Sequence, residues 1–555
     1  MKIHQVTIHN FRSIRHQSFY LQNYSLLIGG NNCGKTNVID ALRIFYEKDL
    51  KFNYNRDFPK FPTDDKESWI EIEYKLTDDE YSTLRDAYKQ PNNTLRVRKY
   101  LISSNRDRVK PNQSNLYAYE TDVLSSNLFY GARNISEAKL GDVIYIPEVT
   151  KIDEYTKLSG PSAFRNLLEF VVKKVVKHSS AYDALSQSFD SFNTKFSTET
   201  TPNGLSLKSL IDDINKEIAE WGISFNIEIN RIRPEEIIKN LVSHYIVDSN
   251  LGNERMDISS YGQGLQRHLI YTLIKLSAKY KDVRVRKDKK EFSPEFTLIL
   301  FEEPEAFLHP SQQEVLNTNL RAVASEETQQ VLITTHSTHF VSKNIDDIPA
   351  ILKLTKEESE TVVYSIDSQT LEEILKENKE LKAILGVEPT EKDIENESIR
   401  YSLWLDPDRC CGFFADAVLI CEGLSEKALI DCLMKTGQLD LGSAKIYVLN
   451  AGGKYNIHRY MNLFGKFGIK HAVLYDGDKD KGKHKQINEF IRKHRNPFTL
   501  GLYSFNGDLE DFLEIPKEGE SYKKPINVMW HYMNNEIAPE KINELKQIVE
   551  KLILT

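Results

Sequence analysis

The apolar run Ala472–Tyr475 ends in Asp476-Gly477-Asp478. Carboxylates at alternate positions of a strand point to the same side, and two of them together repel unless a cation intervenes. A second apolar run, Ala417–Cys421, ends in Glu422, with Glu426 four residues on in the first turn of a helix. A third group, Asp508, Glu510 and Asp511, lies in "NGDLEDFLEIP" (506–516). One acid after a strand is commonly a helix cap or a solvated loop residue. Acids at several equivalent strand ends, with no histidine among them, form a set of hard oxygen donors suited to Mg2+ or Mn2+.

The N-terminal half carries a second constellation. "NYSLLIGGNNCGKTNVIDALRIF" (23–45) leads from the strand Leu26–Ile28 through Gly29-x4-Gly34-Lys35-Thr36 into a helix with apolar Val38, Ile39, Ala41, Leu42 and Phe45. This is a P-loop in the strand–turn–helix setting it requires. Gly29, Asn31, Asn32, Cys33, Gly34, Lys35, Thr36 and Asn37 make up the segment that wraps the phosphates of ATP, with N–H groups and the helix N-terminus pointing at them. Lys35 is expected to reach the β- and γ-phosphates and Thr36 to ligate Mg2+. "FTLILFEEPEAFLHP" (296–310) is an apolar strand ending in Glu302 and Glu303. An acid there can hold the Mg2+ shell, and the next can activate water. "QVLITTHSTHF" (330–340) is a further strand, ending at His336, a position from which a γ-phosphate can be contacted. Two histidines three apart also suit zinc, but no cysteine or acid stands at ligand spacing beside them.

The elements that must position these groups are legible in outline. From residue 412 onward, short apolar runs alternate with amphipathic helices, as in a small parallel α/β domain whose ligands sit at the carboxyl ends of its strands. Residues 356–411 read as a charged connector around the helix "TLEEILKENKELKAIL" (370–385). The gap between P-loop and acid strand holds two short amphipathic helices, 164–178 and 205–221. Their periodicity lasts barely two heptads, too short for a long coiled coil. Residues 161–225 are therefore expected to form a compact helical insertion, with dimerisation as one use for it.

Composition narrows the class. Of the 555 residues, 40% are hydrophobic and 28% charged, ordinary values for a globular chain. The net charge of −8 means that contact with nucleic acid has to come from local basic stretches: 171–178, 279–290 and 479–485. Cys33, Cys410, Cys411, Cys421 and Cys432 show no C-x-x-C spacing, so neither a disulfide framework nor a structural zinc site is expected. No leader pattern or membrane-length apolar run is present, and a cytoplasmic location is the expectation.

P-loop, glycine turn in "ISSYGQGLQRHLIYTLIKL" (258–276), acid strand and histidine strand together resemble the ABC-type ATPases, especially the SMC and recombination branch; "IHNFRSIR" (8–15) does so too. The resemblance gives Glu302 the Walker B role, Glu303 the catalytic role and His336 the switch role. Gly262 and Gly264 would mark the signature turn that reaches nucleotide on a second subunit, although Gly262 stands where serine is usual. The E…D-x-D acids resemble a Toprim domain. Toprim behind such an ATPase is similar to the overcoming-lysogenization-defect (OLD) nucleases, among them Gabija-type and retron-associated members.

That likeness implies an α/β chain: an ABC-type P-loop ATPase head (1–160 and 226–355) with a helical insertion, then a Rossmann-like Toprim domain (412–555). It implies a metal site of Glu422, Glu426, Asp476, Asp478, Asp508 and Glu510, with Asp511 as the alternative to the last. It also implies a lysine near the C-terminus, for which Lys541, with Lys546 and Lys551 nearby, is the candidate. The activity implied is ATP-regulated cleavage of DNA with Mg2+ or Mn2+, two ions in the Toprim site, in defence against phage. The implied partners are a second or further copy of the chain (dimer or tetramer), a helicase-like protein, or a retron reverse transcriptase with its RNA–DNA product; no membrane. The alternatives are an ATP-dependent DNA-binding scaffold, or a repair ATPase of the SMC branch, with a Toprim domain that binds metal without cutting.

Overall fold

The computed structural model describes residues 1–47, 49–148, 180–196, 199–227, 243–262, 292–341, 345–384, 405–480 and 482–554, with scattered positions between these stretches. Two compact units are present, residues 1–148 with 289–555, and residues 149–288.

The first unit contains three sheets. An antiparallel sheet consists of β1 (Lys2–Phe11), β2 (Ile14–Tyr20), β4 (Ser68–Lys75), β5 (Thr94–Ile102), β6 (Leu116–Glu120) and β7 (Val123–Leu124), in the order β2-β1-β4-β5-β6-β7. Alternate residues point to one face. Val6 and Ile8, Ile70 and Ile72, Leu95 and Val97 thus share a core with Val38, Ile39, Leu42 and Phe45 of α1 (Lys35–Phe45), the helix that follows the P-loop.

The nucleotide-side sheet is β3 (Tyr24–Ile28), β8 (Asp142–Ile146), β11 (Thr297–Glu302), β12 (Gln329–Thr334), β13 (Ile351–Glu357) and β14 (Glu360–Ser365), ordered β14-β13-β3-β12-β11-β8. All pairs are parallel except the β13–β14 hairpin. P-loop, histidine and acids therefore emerge from three adjacent strands, β3, β12 and β11, at the same end of the sheet. This sheet runs on to Ser365, past the boundary expected at 355. "TKEESETVVYS" read as connector because β14 is an edge strand with most of its side chains only half buried, so its composition is that of a surface segment.

The C-terminal sheet is β15 (Ala417–Cys421), β16 (Ile446–Asn450), β17 (Lys470–Asp476) and β18 (Thr499–Phe505), all parallel in the order β16-β15-β17-β18. Strand β18 was not anticipated. Without an apolar run ("TLGLYSF", every residue before Phe505 half buried), it gives no strong signal. The hairpin β13–β14 also carries the join to this domain. The buried Lys353 ammonium donates to the Phe413 carbonyl, and the Tyr364 ring meets Phe498 edge-on at 5.6 Å.

The second unit holds helices α2 (Ser180–Phe196) and α3 (Leu207–Ile218) and a short hairpin, Ile246–Asp248 with Glu254–Met256. Ser206 caps α3 by accepting from the Ser209 N–H at 2.9 Å. The unit is wider than the insertion drawn at 161–225 and takes in the Gly262 turn. Most of the helix expected over 164–178, the basic stretches 171–178 and 279–290, and Gln263 lie outside the described residues.

Arg459, 2% exposed, and Glu397, 3% exposed, form a bidentate pair with one bond at 2.6 Å. Removing one partner strands the other charge in the interior, at a cost of about 3 kcal/mol or more. Glu397→Ala is expected to lower the unfolding free energy by that amount, read from denaturant titration, and Glu397→Ala with Arg459→Met to lose less than the single change. Equal losses in the two variants would show that an unpaired Arg459 costs nothing in the interior.

Candidate active site

At the P-loop, β3 delivers the chain to Gly29, with φ +147°, where a Cβ would lie 2.3 Å from the Leu354 carbonyl oxygen. Gly34, φ +105°, opens α1, and there a Cβ would lie 2.3 Å from the Thr361 hydroxyl. Both positions require glycine. Asn31, Asn32 and Thr36 are exposed at the loop surface, and Cys33 is buried. The Lys35 ammonium donates to the carbonyls of Gly29 (3.0 Å) and Gly30 (3.1 Å) and to His336 Nε2 (2.8 Å). Burial, reinforced by the Lys35 charge, lowers the His336 pKa to about 4, so the imidazole is neutral and accepts this bond. Phosphate oxygens arriving at the loop have to replace all three contacts.

The two acids of β11 differ in surroundings. The Tyr145 hydroxyl donates to Glu302. Glu303, held at φ +45°, lies 3.3 Å from His336. Burial and the neighbouring Glu305 push its pKa up to about 8. Glu305 is itself a residue that the sequence reading passed over. Its carboxylate accepts from the Thr335 hydroxyl (2.7 Å) and from the N–H groups of His336 (2.6 Å) and Ser337 (3.1 Å), and so fixes the turn that bears the histidine. His336 and His339 turn to different partners, His339 to Glu314.

"NFRSIR" braces the loop from behind. Arg12 bonds Asp40 (2.7 Å), the fully buried Asp57 (2.9 Å) and Asn37 (3.3 Å). Asn37 donates to Ser13 (2.6 Å), Ser13 meets Thr361 (2.7 Å), and Thr361 donates to the Cys33 carbonyl (2.9 Å). The Asn37 side chain, expected at the nucleotide, is thus engaged by the brace.

At the carboxyl ends of the Toprim strands, β15 is followed by Glu422, whose carboxylate accepts from the Asp476 N–H at 3.1 Å. Glu426, 4% exposed, sits in the first turn of α4 (Leu424–Lys435) and accepts from the Gly423 N–H at 3.0 Å. Strand β17 ends at Asp476. Gly477 follows because a Cβ there would lie 2.1 Å from the Phe505 carbonyl oxygen of β18. Asp478 is turned to φ +49° and its N–H donates to the Gly507 carbonyl at 3.1 Å. Past β18, Asp508 caps a short helix by accepting from the Asp511 N–H at 2.8 Å. Glu510, 2% exposed, points inward and accepts from the Glu518 N–H (3.1 Å) and the Asn527 amide (3.0 Å). Of the two alternatives, Glu510 is buried and Asp511 exposed.

The cations around these acids were not read from the sequence. Lys454 pairs with Asp478, which His484 also approaches at 3.0 Å. Lys517 bonds Asp508 (2.8 Å) and Asp511 (2.7 Å). Lys524 lies 3.5 Å from Glu510 and 4.0 Å from Asp508. Lys541, the candidate near the C-terminus, pairs instead with Glu514 (3.2 Å) and Glu544 (3.4 Å) and with none of the six acids. It lies on the helix Pro539–Leu554, whose apolar face packs into the domain core and whose charged face turns outward.

The donor set fits a hard divalent cation. All its members are carboxylates, and Asp476 Oδ1 is buried without a hydrogen-bond partner. Among the described residues, no three acidic, histidine or cysteine side chains lie at ligand spacing around one point. Burial raises the pKa of Asp476 to about 8, with Glu422 adding to it. It raises Glu422 to about 7 against the pull of Lys454, and Glu426 to about 7 with help from Asp476.

These groups titrate near 4 in an unfolded chain, so the folded protein binds more protons between about pH 5 and about pH 8 and loses stability as pH rises through that window. With EDTA present, Tm is expected to fall across it. Mg2+ is expected to restore more at about pH 8 than at about pH 6, and Asp476→Asn to diminish both effects. A variant that tracks the wild type at every pH, with and without Mg2+, would contradict this account of the cluster.

Residues 1–341 match the family described as "AAA ATPase domain", and residues 413–478 that described as "Overcoming lysogenization defect protein-like, TOPRIM domain". The Old nuclease of Escherichia phage P2 is 24% identical over 494 residues, which cover 86% of this chain and 77% of that protein. Endonuclease GajA of Bacillus cereus (strain VD045) is 24% identical over 549 residues, 94% of this chain and 83% of that one. Among solved structures, the SMC head domain from Thermotoga maritima aligns with 66% of this chain and 100% of its own, at 12% identity and a TM-score of 0.31. With most of its length matched to one family and Glu422, Glu426, Asp476 and Asp478 inside the second match, the chain belongs to the AAA ATPase domain family and carries an OLD-like TOPRIM domain behind the ATPase.

Proposed function

We propose that the chain is an ATP-binding, nucleotide-regulated, Mg2+-dependent DNA endonuclease or nickase of the OLD type that acts in defence against phage. The observation that carries this reading is the buried Asp476 oxygen without a partner, set among Glu422, Glu426, Asp478, Asp508 and Glu510. The names of the relatives, a nuclease and an endonuclease, support it, as do the matches of both halves to the corresponding domains.

In this reading Glu422, Asp476 and Asp478 hold the ion, with Glu426, Asp508 and Glu510 around it. When bound, a divalent ion acidifies the attacking water and offsets charge on the leaving 3′-oxygen. The chain's own groups do the rest. Glu426, buried in the first turn of the helix after β15, would stand beside the ion as a further carboxylate. Lys524, beside Glu510 and Asp508, is placed to stabilise charge on the scissile phosphate, the role that sequence reading gave Lys541. At the P-loop, Lys35 and Thr36 hold ATP and its Mg2+ with Glu302, Glu303 acts on water, and His336 reports the γ-phosphate. The exposed Gly262, with open space where a Cβ would go, leads into the Gly264 turn, and both suit a signature contact with nucleotide on a second copy of the chain.

Supercoiled and linear DNA incubated with Mg2+ or Mn2+ tests the reading. The wild type should nick or cut. Asp476→Ala should lose at least about 100-fold in rate, the scale on which removal of one essential catalytic group acts. Lys35→Ala should abolish ATP binding and change the nucleotide dependence of cleavage while leaving the acid cluster intact. A folded wild type that binds ATP and Mg2+ but cleaves no DNA would instead favour the scaffold reading.

A further inference from the structure

The acid edge of the C-terminal sheet runs between two layers of helices. Right-handed crossovers put α4 on one face and the helices Ile457–Lys466 and Lys483–Lys493 on the other. The helix Lys524–Met533 packs on the α4 side, where Val528 shares a core with Leu429, Ile430 and Leu433. Its first turns flank the acids from that layer, with the Asn527 amide on Glu510 at 3.0 Å. The start of Lys483–Lys493 flanks them from the opposite layer, with His484 3.0 Å from Asp478.

The two flanks differ in chemistry. On the second, Lys479, Lys483 and Lys485 are exposed. No acid stands in the first turn of that helix to offset them, and the helix dipole disfavours cations at this end. On the first, the stretch "SYKKPINVMWHYM" (521–533) carries Lys523, Lys524 and His531 and not one Asp or Glu, in a chain of net charge −8. Tyr522 is 69% exposed and Trp530 52% exposed. Their spacing, with Ile526 midway, sets them on one side of the helix. The Lys523 ammonium lies 5.5 Å from the Tyr522 ring centre, and His531 meets Trp530 edge-on at 4.9 Å.

Aromatic rings left in water among ammonium groups suit a nucleic-acid strand, whose bases stack on the rings while its phosphates meet the lysines. An apolar stripe can also seat a protein. This one, however, is bordered by cations and begins at the acid cluster, so a polyanion is its complement. Bases inside a duplex already stack on each other and offer no free face to a side chain. Only unpaired bases can use Tyr522 and Trp530.

We propose that Tyr522 and Trp530 form a stacking platform for unpaired bases beside the acid site, with Lys479, Lys483 and Lys485 holding backbone phosphates across the edge. The substrate class is then DNA with a single-stranded stretch next to the point of cutting. The proposal rests on the nuclease reading for its choice of substrate, but its test reads binding.

The full chain carrying Asp476→Asn, which keeps cleavage out of the measurement, is titrated with three probes in Mg2+: an oligothymidylate, a blunt duplex, and a duplex with a single-stranded arm. Oligothymidylate is expected to quench tryptophan fluorescence, and Trp530→Phe to remove that quench while keeping most of the affinity. Tyr522→Ala and Trp530→Ala should each weaken the oligothymidylate and the armed duplex by about 5-fold or more, the loss of one stacked base, and the blunt duplex by less than about 2-fold. Lys483→Gln with Lys485→Gln should weaken the blunt and armed duplexes and flatten their salt dependence. Equal effects of the aromatic substitutions on blunt and armed duplexes would overturn the proposal, as would a quench that persists in Trp530→Phe or a chain that binds none of the probes. A lower oligomer mass for Trp530→Ala in sedimentation, with DNA binding unchanged, would make the stripe a contact between protein chains instead. Cleavage is assayed separately with Asp476 restored. Stacking without cleavage keeps the platform and removes the nuclease reading, whereas cleavage indifferent to both aromatic substitutions does the reverse.

Discussion

A carboxylate taken out of water without a partner is costly, and this chain places several at the ends of its parallel strands. Much of the local architecture answers that cost. Glu422 takes an N–H from β17, Glu426 takes one from the start of its own helix, and Asp478, Asp508 and Glu510 each face a lysine. Asp476 keeps one oxygen unpaired. The P-loop meets the converse problem, a buried ammonium, in a similar way: Lys35 lies on two carbonyls of its own loop and on a neutral histidine. Both sites are thus internally neutralised in a manner that a charged ligand can exchange.

Parallel strands explain why both sites sit where they do. Strands that all run one way bring their carboxyl ends to one edge, and the following helices turn their N-termini toward it. Order then decides which residues meet. In the first sheet β3 lies between β13 and β12, with β11 next, so P-loop, histidine and acids are neighbours. In the second, β15 and β17 are adjacent, so Glu422 reaches the Asp476 N–H. The two sheets are also joined. Lys353 pairs in register with Ile28, the residue before Gly29, and its ammonium grips the Phe413 carbonyl just ahead of β15. A shift of the Gly29 loop therefore has a short bonded route to the strand that carries Glu422 at its far end.

The acids and the P-loop were legible because each is announced by its neighbours. An apolar run such as "AVLY" or "LILF" is a buried strand, and the polar residue that ends it stands at the sheet edge. Gly29 and Gly34 of "GGNNCGK" and Gly477 of "DGD" mark backbone that passes too close to another chain segment for a side chain, and the structure supplies the obstacles: the Leu354 and Phe505 carbonyls and the Thr361 hydroxyl. Strands β14 and β18 lacked that announcement. Their residues are mostly half buried, so the sequence shows neither a continuous apolar run nor a clean alternation.

Lysines were the least legible members of the site, for a physical reason. A carboxylate is short and its place follows from the end of its strand. A lysine reaches about 6 Å along a flexible stem, so its sequence position says little about where its charge lies. Lys454 comes from the turn after β16, and Lys517 and Lys524 from the segment after the last strand, yet all three converge on the acids. Lys541 looked suitable by its place near the C-terminus, but the helix that carries it turns its apolar face into the core, and this directs Lys541 to Glu514 and Glu544 instead. A lysine ammonium is tolerated in the interior only beside an opposite charge such as a carboxylate. Lys454 meets that condition at 3% exposure, whereas Lys541 stays at the surface.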